Sequence, residues 1–230
     1  RYGRDGKSMR MCRKLRRSGS PEISDISRES VPDFRDVHVF EEEIILKRMK
    51  TKDLVLCAMF VALIAVGAFI KVPVPVVPFT LQFLFTMLAG LLLGPGNGAL
   101  AVVIYIVLGL AGLPIFTQGG GPSYIFQPSF GYIIGFAAAA YVTGRIANEK
   151  SHPGYGRLLA ANFIGLFIVY AFGMVYYYVI SNFVLNTPIG LWPLFLYCFL
   201  LAVPGDIALC ILAAAIGKRM IPMIREGRLG

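Results

Sequence analysis

The sequence predicts an all-α integral membrane protein. Hydrophobic residues make up 57% of its 230 residues and the mean hydropathy is +0.69, which is higher than in soluble domains. Charged residues are rare between Asp53 and Lys218, and a soluble fold of this size could not cover its surface with so few. The charged residues inside this interval are Lys71, Arg145, Glu149, Lys150, Arg157 and Asp206.

Residues 1–48 differ in composition from the remainder of the chain. They are polar and mostly basic, with no sustained hydrophobic period, so we expect disorder there. Our hypothesis is that translation starts at Met49 and that residues 1–48 are an extension, which intact mass spectrometry of the native protein tests. The predicted organisation is therefore an extension over residues 1–48 and a membrane domain over residues 49–230.

Six apolar segments follow, and we interpret them as transmembrane helices. Several are shorter than the ~20 residues that a straight span needs. This length favours helices that continue into the adjacent loops or end against a re-entrant stretch. The approximate bounds of the segments are 54–70, 79–93, 98–110, 130–146, 158–180 and 194–216.

The distribution of Lys and Arg predicts how these helices are oriented. Basic residues lie before the first segment, between the fourth and fifth, and after the sixth, whereas Lys71 is alone on the other side. Cytoplasmic connections carry the excess of Lys and Arg, so we expect both termini to be cytoplasmic. The net charge of +9 is then a topology signal, and no nucleic-acid partner is expected.

A long glycine-rich stretch, from Gly112 to Phe136, lies between the third and fourth segments on the predicted outer face. Glycines let the backbone approach a ligand, and the prolines beside them stiffen the path. The alternative is a surface connection rich in turn formers, but long ordered loops are usually functional. The candidate ligand-binding residues in and after this loop are Gly119, Gly120, Gly121, Ser123, Tyr124, Gln127 and Tyr132.

Asp206 is the one acidic residue deep in an apolar segment. A carboxylate there is costly unless a partner or ligand accompanies it, so a binding role is favoured over a helix cap or a protonated side chain. Pro204 and Gly205 weaken the helix just before it. Gln82 follows the Pro-rich turn KVPVPVVPFT on the predicted outer face. It is a second candidate binding residue, because it could face a ligand cavity beneath the glycine-rich loop. Asn162 is expected only to bond a neighbouring helix, and Tyr105 and Tyr170 are lesser candidates.

The first helix has small residues at four-residue spacing: Ala58, Ala62 and Val66. This face allows another helix to approach closely, either inside the bundle or in a partner protein, and spacing alone does not separate the two. The four cysteines show neither metal spacing nor a disulfide framework. No phosphate-binding loop, zinc motif or nucleophile elbow is present, so we expect no metal, no cofactor and no enzymatic activity.

These residues together resemble the BioY family, the biotin-specific substrate-binding subunits (S components) of energy-coupling factor (ECF) transporters. The resemblance rests on PFTLQ, LLLGPGNG, GLPIF, the glycine-rich loop, PSFGYIIGF and the PGD ending at Asp206. It implies a six-helix S-component fold in the cell membrane that binds biotin from outside. It also implies a transmembrane coupling subunit, which approaches the Ala58, Ala62 and Val66 face, and two cytoplasmic ATPases.

If biotin is the ligand, its donor and acceptor groups predict how these residues would hold it. Asp206 would accept the ureido N–H groups, and Gln82 or Gln127 would donate to the ureido oxygen. Tyr124, Phe126 and Tyr132 would enclose the rings, and N–H groups around Gly119–Ser123 would form a nest for the carboxylate.

The sequence departs from the family pattern at two positions where relatives carry a positively charged side chain. Leu209 stands where relatives commonly have Lys, and Gly119-Gly120-Gly121-Pro122 lacks the Arg that many have. Lys71 is a candidate to replace these cations as the partner of the ligand carboxylate.

Three other classes of function are alternatives. A stand-alone secondary permease would use Asp206 as a proton site, but inverted repeats are not evident. A membrane enzyme would need a second catalytic group opposite Asp206, and a purely structural protein would leave the glycine-rich loop unexplained.

Overall fold

The computed structural model describes residues 51–72, 79–150, 152–185, 187–200 and 202–229. The predictions for residues 1–48 lie outside this part of the chain. The elements in order are α1 (Thr51–Phe69), β1 (Lys71–Val72), β2 (Phe79–Thr80), α2 (Gln82–Leu93), α3 (Pro95–Leu110), a 3-10 turn (Pro122–Phe126), α4 (Phe130–Asn148), α5 (Tyr155–Val179), a π-helical extension (Ile180–Val184), α6 (Leu191–Phe195), a second π-helical stretch (Leu196–Leu200) and α7 (Val203–Leu229).

For the described residues the predicted all-α class is confirmed, apart from one short ribbon. β1 and β2 pair antiparallel at the end of α1, with Lys71 opposite Thr80 and Val72 opposite Phe79. Leu81, the residue before α2, donates its N–H to the carbonyl oxygen of Ile70, the residue after α1, at 3.1 Å. This hydrogen bond holds the start of α2 beside the end of α1.

α2 is the central helix of the bundle although it is only 12 residues long. It packs against α1, α3, α4 and α7, and almost all of its side chains are buried. A helix that is apolar all round belongs in such a position, because every face has a partner.

α4 and α5 form the most extensive helix pair. Gly173 permits the close approach, since a Cβ atom there would lie 2.4 Å from the ring of Tyr132. On the other side of α5, Asn162 Nδ2 donates to the Cys210 carbonyl oxygen of α7 at 2.9 Å, which confirms the predicted interhelical role of this amide.

The sixth apolar segment differs from the prediction. It divides into the short α6, a π-helical stretch and α7, and α7 starts at Val203 rather than near residue 194. Pro204 therefore lies in the first turn of α7, where its missing N–H breaks no intrahelical hydrogen bond. The proline marks the beginning of a helix and not an interruption within one.

Within the part of the chain that the structure describes, four helical stretches are long and apolar enough to cross a membrane: Thr51–Phe69, Phe130–Asn148, Tyr155–Val184 and Val203–Ile224. α2 and α3 are apolar but shorter. Both belong to the short segments anticipated from the sequence.

Candidate functional site

A cavity lies at the end of the bundle where α2, α4 and α7 begin. The glycine-rich loop and the β1–β2 ribbon border its mouth, and the second half of α5 forms one wall. The space that water-sized molecules can occupy inside it is about 70 Å³. Its lining residues are Thr80, Gln82, Phe83, Thr117, Tyr124, Ser129, Tyr132, Ile133, Phe136, Val169, Tyr170, Ala202 and Asp206.

Asp206 supplies a carboxylate to the inner part of this cavity. It lies in the first turn of α7, is 9% exposed, and receives a hydrogen bond from the Tyr170 hydroxyl to Oδ2 at 2.5 Å. The positive end of the helix dipole favours a negative group at this position. No Lys or Arg in the described residues forms an ion pair with it, so the carboxylate keeps acceptor capacity toward the cavity.

Gln82 supplies a buried donor to the same cavity. It is the first residue of α2 and is 2% exposed. Its side chain makes a weak polar contact with the Tyr105 hydroxyl, but no acceptor among the described residues meets Nε2 in full hydrogen-bond geometry. Buried polar groups are nearly always satisfied, so an unpaired amide donor at a cavity wall indicates a site for an acceptor atom.

Aromatic rings enclose the space around these polar groups. Tyr132 packs edge-on against Tyr170 with ring centroids 5.9 Å apart, and Tyr170 packs against Phe199 at 5.3 Å. Phe83 and Phe136 form a further pair at 6.4 Å. The walls are therefore suited to a flat or apolar ring system.

The glycine-rich loop is held in place by its own contacts. Phe116 is fully buried and packs on Tyr124 at 4.4 Å, while the Tyr124 hydroxyl hydrogen-bonds Thr117 Oγ1 at 2.9 Å. A side chain at Gly120 would place Cβ 2.1 Å from the Leu113 carbonyl oxygen. The loop therefore has a defined shape that presents Thr117 and Tyr124 to the cavity.

The N–H groups of two loop glycines are used inside the loop. The Gly119 N–H donates to the Phe116 carbonyl oxygen at 3.2 Å, and the Gly121 N–H donates to the Gly109 carbonyl oxygen at 2.7 Å. These two N–H groups are thus not open to an anion in this conformation, and the nest predicted around Gly119–Ser123 stays a prediction.

The structure brings together Gln82, Tyr124, Tyr132 and Asp206 from the predicted set. The other predicted loop residues lie outside the cavity lining: Gly119, Gly120, Gly121, Ser123 and Gln127. Phe126 is also outside it and is 56% exposed, because it ends the 3-10 turn on the outer side of the loop.

Sequence reasoning missed most of the apolar lining and gave Tyr170 too little weight. Ser129, Ile133 and Phe136 line the cavity beside the predicted Tyr132 at the start of α4, and the spacing of the four residues places them on one helical face. That spacing was a usable signal. Tyr170 offered none, because its role comes from contact with a residue distant in sequence.

The small-residue face of α1 points away from the bundle. Ala58, Ala62 and Val66 are all exposed, whereas Phe60 and Ile64 of the same helix are buried. Among the described residues this face has no internal packing role, so it is open to lipid or to another protein.

Comparison with known proteins gives a consistent result. The BioY family profile matches residues 42–226. A protein from Lysinibacillus sphaericus named "Probable biotin transporter BioY" is 47% identical over 183 residues, which is 80% of this chain and 93% of that protein. "Biotin transporter BioY" from Thermotoga maritima is 41% identical over 124 residues, 54% of this chain and 72% of that protein.

A solved structure supports the same assignment. The crystal structure of the S-component for biotin from an ECF-type ABC transporter superposes with a TM-score of 0.61 at 29% sequence identity, covering 75% of this chain and 94% of that one. Because the family match spans most of the sequence and includes every helix that borders the cavity, this chain belongs to the BioY family.

Proposed function

We propose that this chain is the high-affinity biotin-binding S component of an ECF-type, ATP-dependent uptake transporter. The names of its relatives and the fold it shares with a biotin S component support this assignment. The observation that carries it is chemical: a buried carboxylate and a buried amide donor without a partner line the same aromatic-walled cavity.

These two groups complement the ureido ring of biotin. The ring has two N–H donors and one carbonyl acceptor. Asp206 accepts from the N–H groups in a charge-assisted hydrogen bond, with Tyr170 orienting the carboxylate from the other side. Gln82 Nε2 donates to the ureido oxygen and thereby gains the acceptor that the described protein residues do not provide.

The remaining surface of biotin is largely apolar and suits the rest of the lining. Tyr132, Ile133 and Phe136 of α4 face the fused rings from one side and Val169 from another. The cavity's 70 Å³ is below the ~300 Å³ of typical small-molecule sites. Binding of biotin therefore requires the glycine-rich loop to shift from this position, and Ser123, Gln127 and the loop glycines contribute by shaping the cover of the cavity.

The proposed topology has six membrane helices with both termini in the cytoplasm of a cell whose plasma membrane contains the transporter. The positions of Lys and Arg support it. α2 and α3 are short spans, which the bundle accommodates because α2 is enclosed by protein on every side. The cavity then opens to the exterior.

The chain takes up biotin only together with other subunits in this proposal. The exposed face of Ala58, Ala62 and Val66 receives a helix of a transmembrane coupling subunit, since small side chains permit close approach. Two cytoplasmic ATPases supply the energy, and this chain itself hydrolyses nothing.

Calorimetric titration of the detergent-purified protein tests the binding function. Biotin should bind tightly without any nucleotide, while thiamine and riboflavin should give no heat. Binding of another vitamin in place of biotin would contradict the assignment. Uptake by cells that contain this chain without coupling or ATPase subunits would instead show a stand-alone permease.

A further inference from the structure

Lys71 connects the two elements that cover the cavity. It begins β1, and its Nζ donates to the Thr117 carbonyl oxygen of the glycine-rich loop at 3.1 Å. Across the ribbon it is directly opposite Thr80, so the two side chains share one face of the ribbon. Thr80 and Thr117 both line the cavity, so Lys71, which is exposed and not itself a lining residue, lies next to the cavity mouth.

The charge of Lys71 is unmatched in this region. The connections at this end of the bundle contain no other Lys or Arg and no acidic residue. No carboxylate in the described part of the chain forms an ion pair with Lys71. An ammonium group has three donors, and the contact with Thr117 uses one of them, so two remain for an anion.

We propose that Lys71 binds the carboxylate of the ligand and closes the loop over it. This inference rests on the proposed function, because biotin has a carboxylate at the end of its chain, remote from the ureido ring. The site is then polarised along its length, with Asp206 receiving the N–H groups inside and Lys71 receiving the carboxylate at the mouth. In this conformation the N–H groups of Gly119 and Gly121 already have backbone acceptors.

The experiment compares biotin with biotinamide, in which a neutral amide replaces the carboxylate. In the unmodified protein, biotin should bind about 10-fold more tightly than biotinamide, a typical effect of one hydrogen bond to a charged group. K71M should remove this preference by weakening biotin about 10-fold while biotinamide affinity stays within about 2-fold. Added salt should weaken biotin binding in the unmodified protein and have less effect in K71M.

K218M is a matched control. Lys218 Nζ also donates to a backbone carbonyl oxygen at 3.1 Å, that of Pro153, but it lies at the opposite end of the bundle. K218M should leave both affinities unchanged, and K71R should keep most of the preference for biotin because it retains the charge.

Three results would overturn the inference. Equal weakening of both ligands in K71M would mean that Lys71 only tethers the loop. Unchanged biotin affinity in K71M would place the carboxylate elsewhere. Absence of binding of both ligands to the unmodified protein would refute the proposed function, a failure that is distinct from the first two.

Discussion

The Asp206→Asn substitution replaces one carboxylate oxygen by an NH₂ group in a side chain that is 9% exposed. The remaining oxygen can still accept the hydrogen bond that the Tyr170 hydroxyl donates at 2.5 Å. The NH₂ group then points toward the cavity, where the ureido N–H groups would lie. Donor would face donor, and the charge that strengthens the hydrogen bond would be gone.

The expected loss of biotin affinity is about 3 kcal/mol, within the range for removing one partner of a buried charged hydrogen bond. This corresponds to roughly a 100-fold increase in Kd. The apo protein should melt at the same temperature or higher, because an uncharged amide is less costly to bury than a carboxylate. Calorimetric titration and thermal unfolding of the same preparation measure both quantities.

Tyr170→Phe is the matched comparison, since it removes the donor and keeps the carboxylate. Its expected effect is the reverse pattern: apo stability falls by about 1.5–3 kcal/mol, the usual value of a hydrogen bond to a charged group, and biotin affinity falls less than in Asp206→Asn. Unchanged biotin affinity in Asp206→Asn would remove this residue from the binding site. Retained affinity together with lost pH dependence of transport would indicate a proton site instead.

Further substitutions test the other parts of the arrangement. Gln82→Leu should weaken biotin about 10-fold and leave apo stability equal or higher, because it removes a buried donor that lacks a partner; a lower melting temperature with normal affinity would contradict this. Ala58→Trp and Ala62→Trp should preserve biotin binding but abolish ATP-dependent uptake, as bulk on this exposed face blocks the approach of a partner helix. Loss of binding would instead mean that the face packs inside the bundle. Gly120→Ala should displace the loop and weaken biotin, since its Cβ would meet a backbone oxygen at 2.1 Å, whereas Gly154→Ala has open space and serves as the neutral control.

The helices were predictable because each depends on composition over a short stretch of chain. The start of α4 at Phe130 and the end of α2 at Leu93 match the expected bounds. The sixth segment was not predicted correctly. Its apolar run continues through α6 and the π-helical stretch into α7, and hydropathy does not report where a continuous apolar run changes its hydrogen-bonding pattern.

The candidate site was predictable to the extent that single residues are unusual in their surroundings. Asp206 and Gln82 are polar groups beside apolar segments, and the cost of burying them is a local property that the sequence alone reveals. The loop glycines were predicted to bind the ligand through their N–H groups. Which acceptor each N–H group meets depends on how the loop folds, and the local sequence does not report this. At Gly119 and Gly121 those acceptors proved to be backbone carbonyl oxygens.

The sequence by itself determined the helical membrane class, the family resemblance and the isolated carboxylate, since all three depend on residue types and their order. Only the tertiary structure decided that Tyr170 meets Asp206 across 36 positions of sequence and that Lys71 reaches Thr117 across 46. Contacts of this kind depend on how the helices pack and on where the loops cross. A single sequence carries no local signal for them, because either residue would be equally compatible with its own segment if the other were absent.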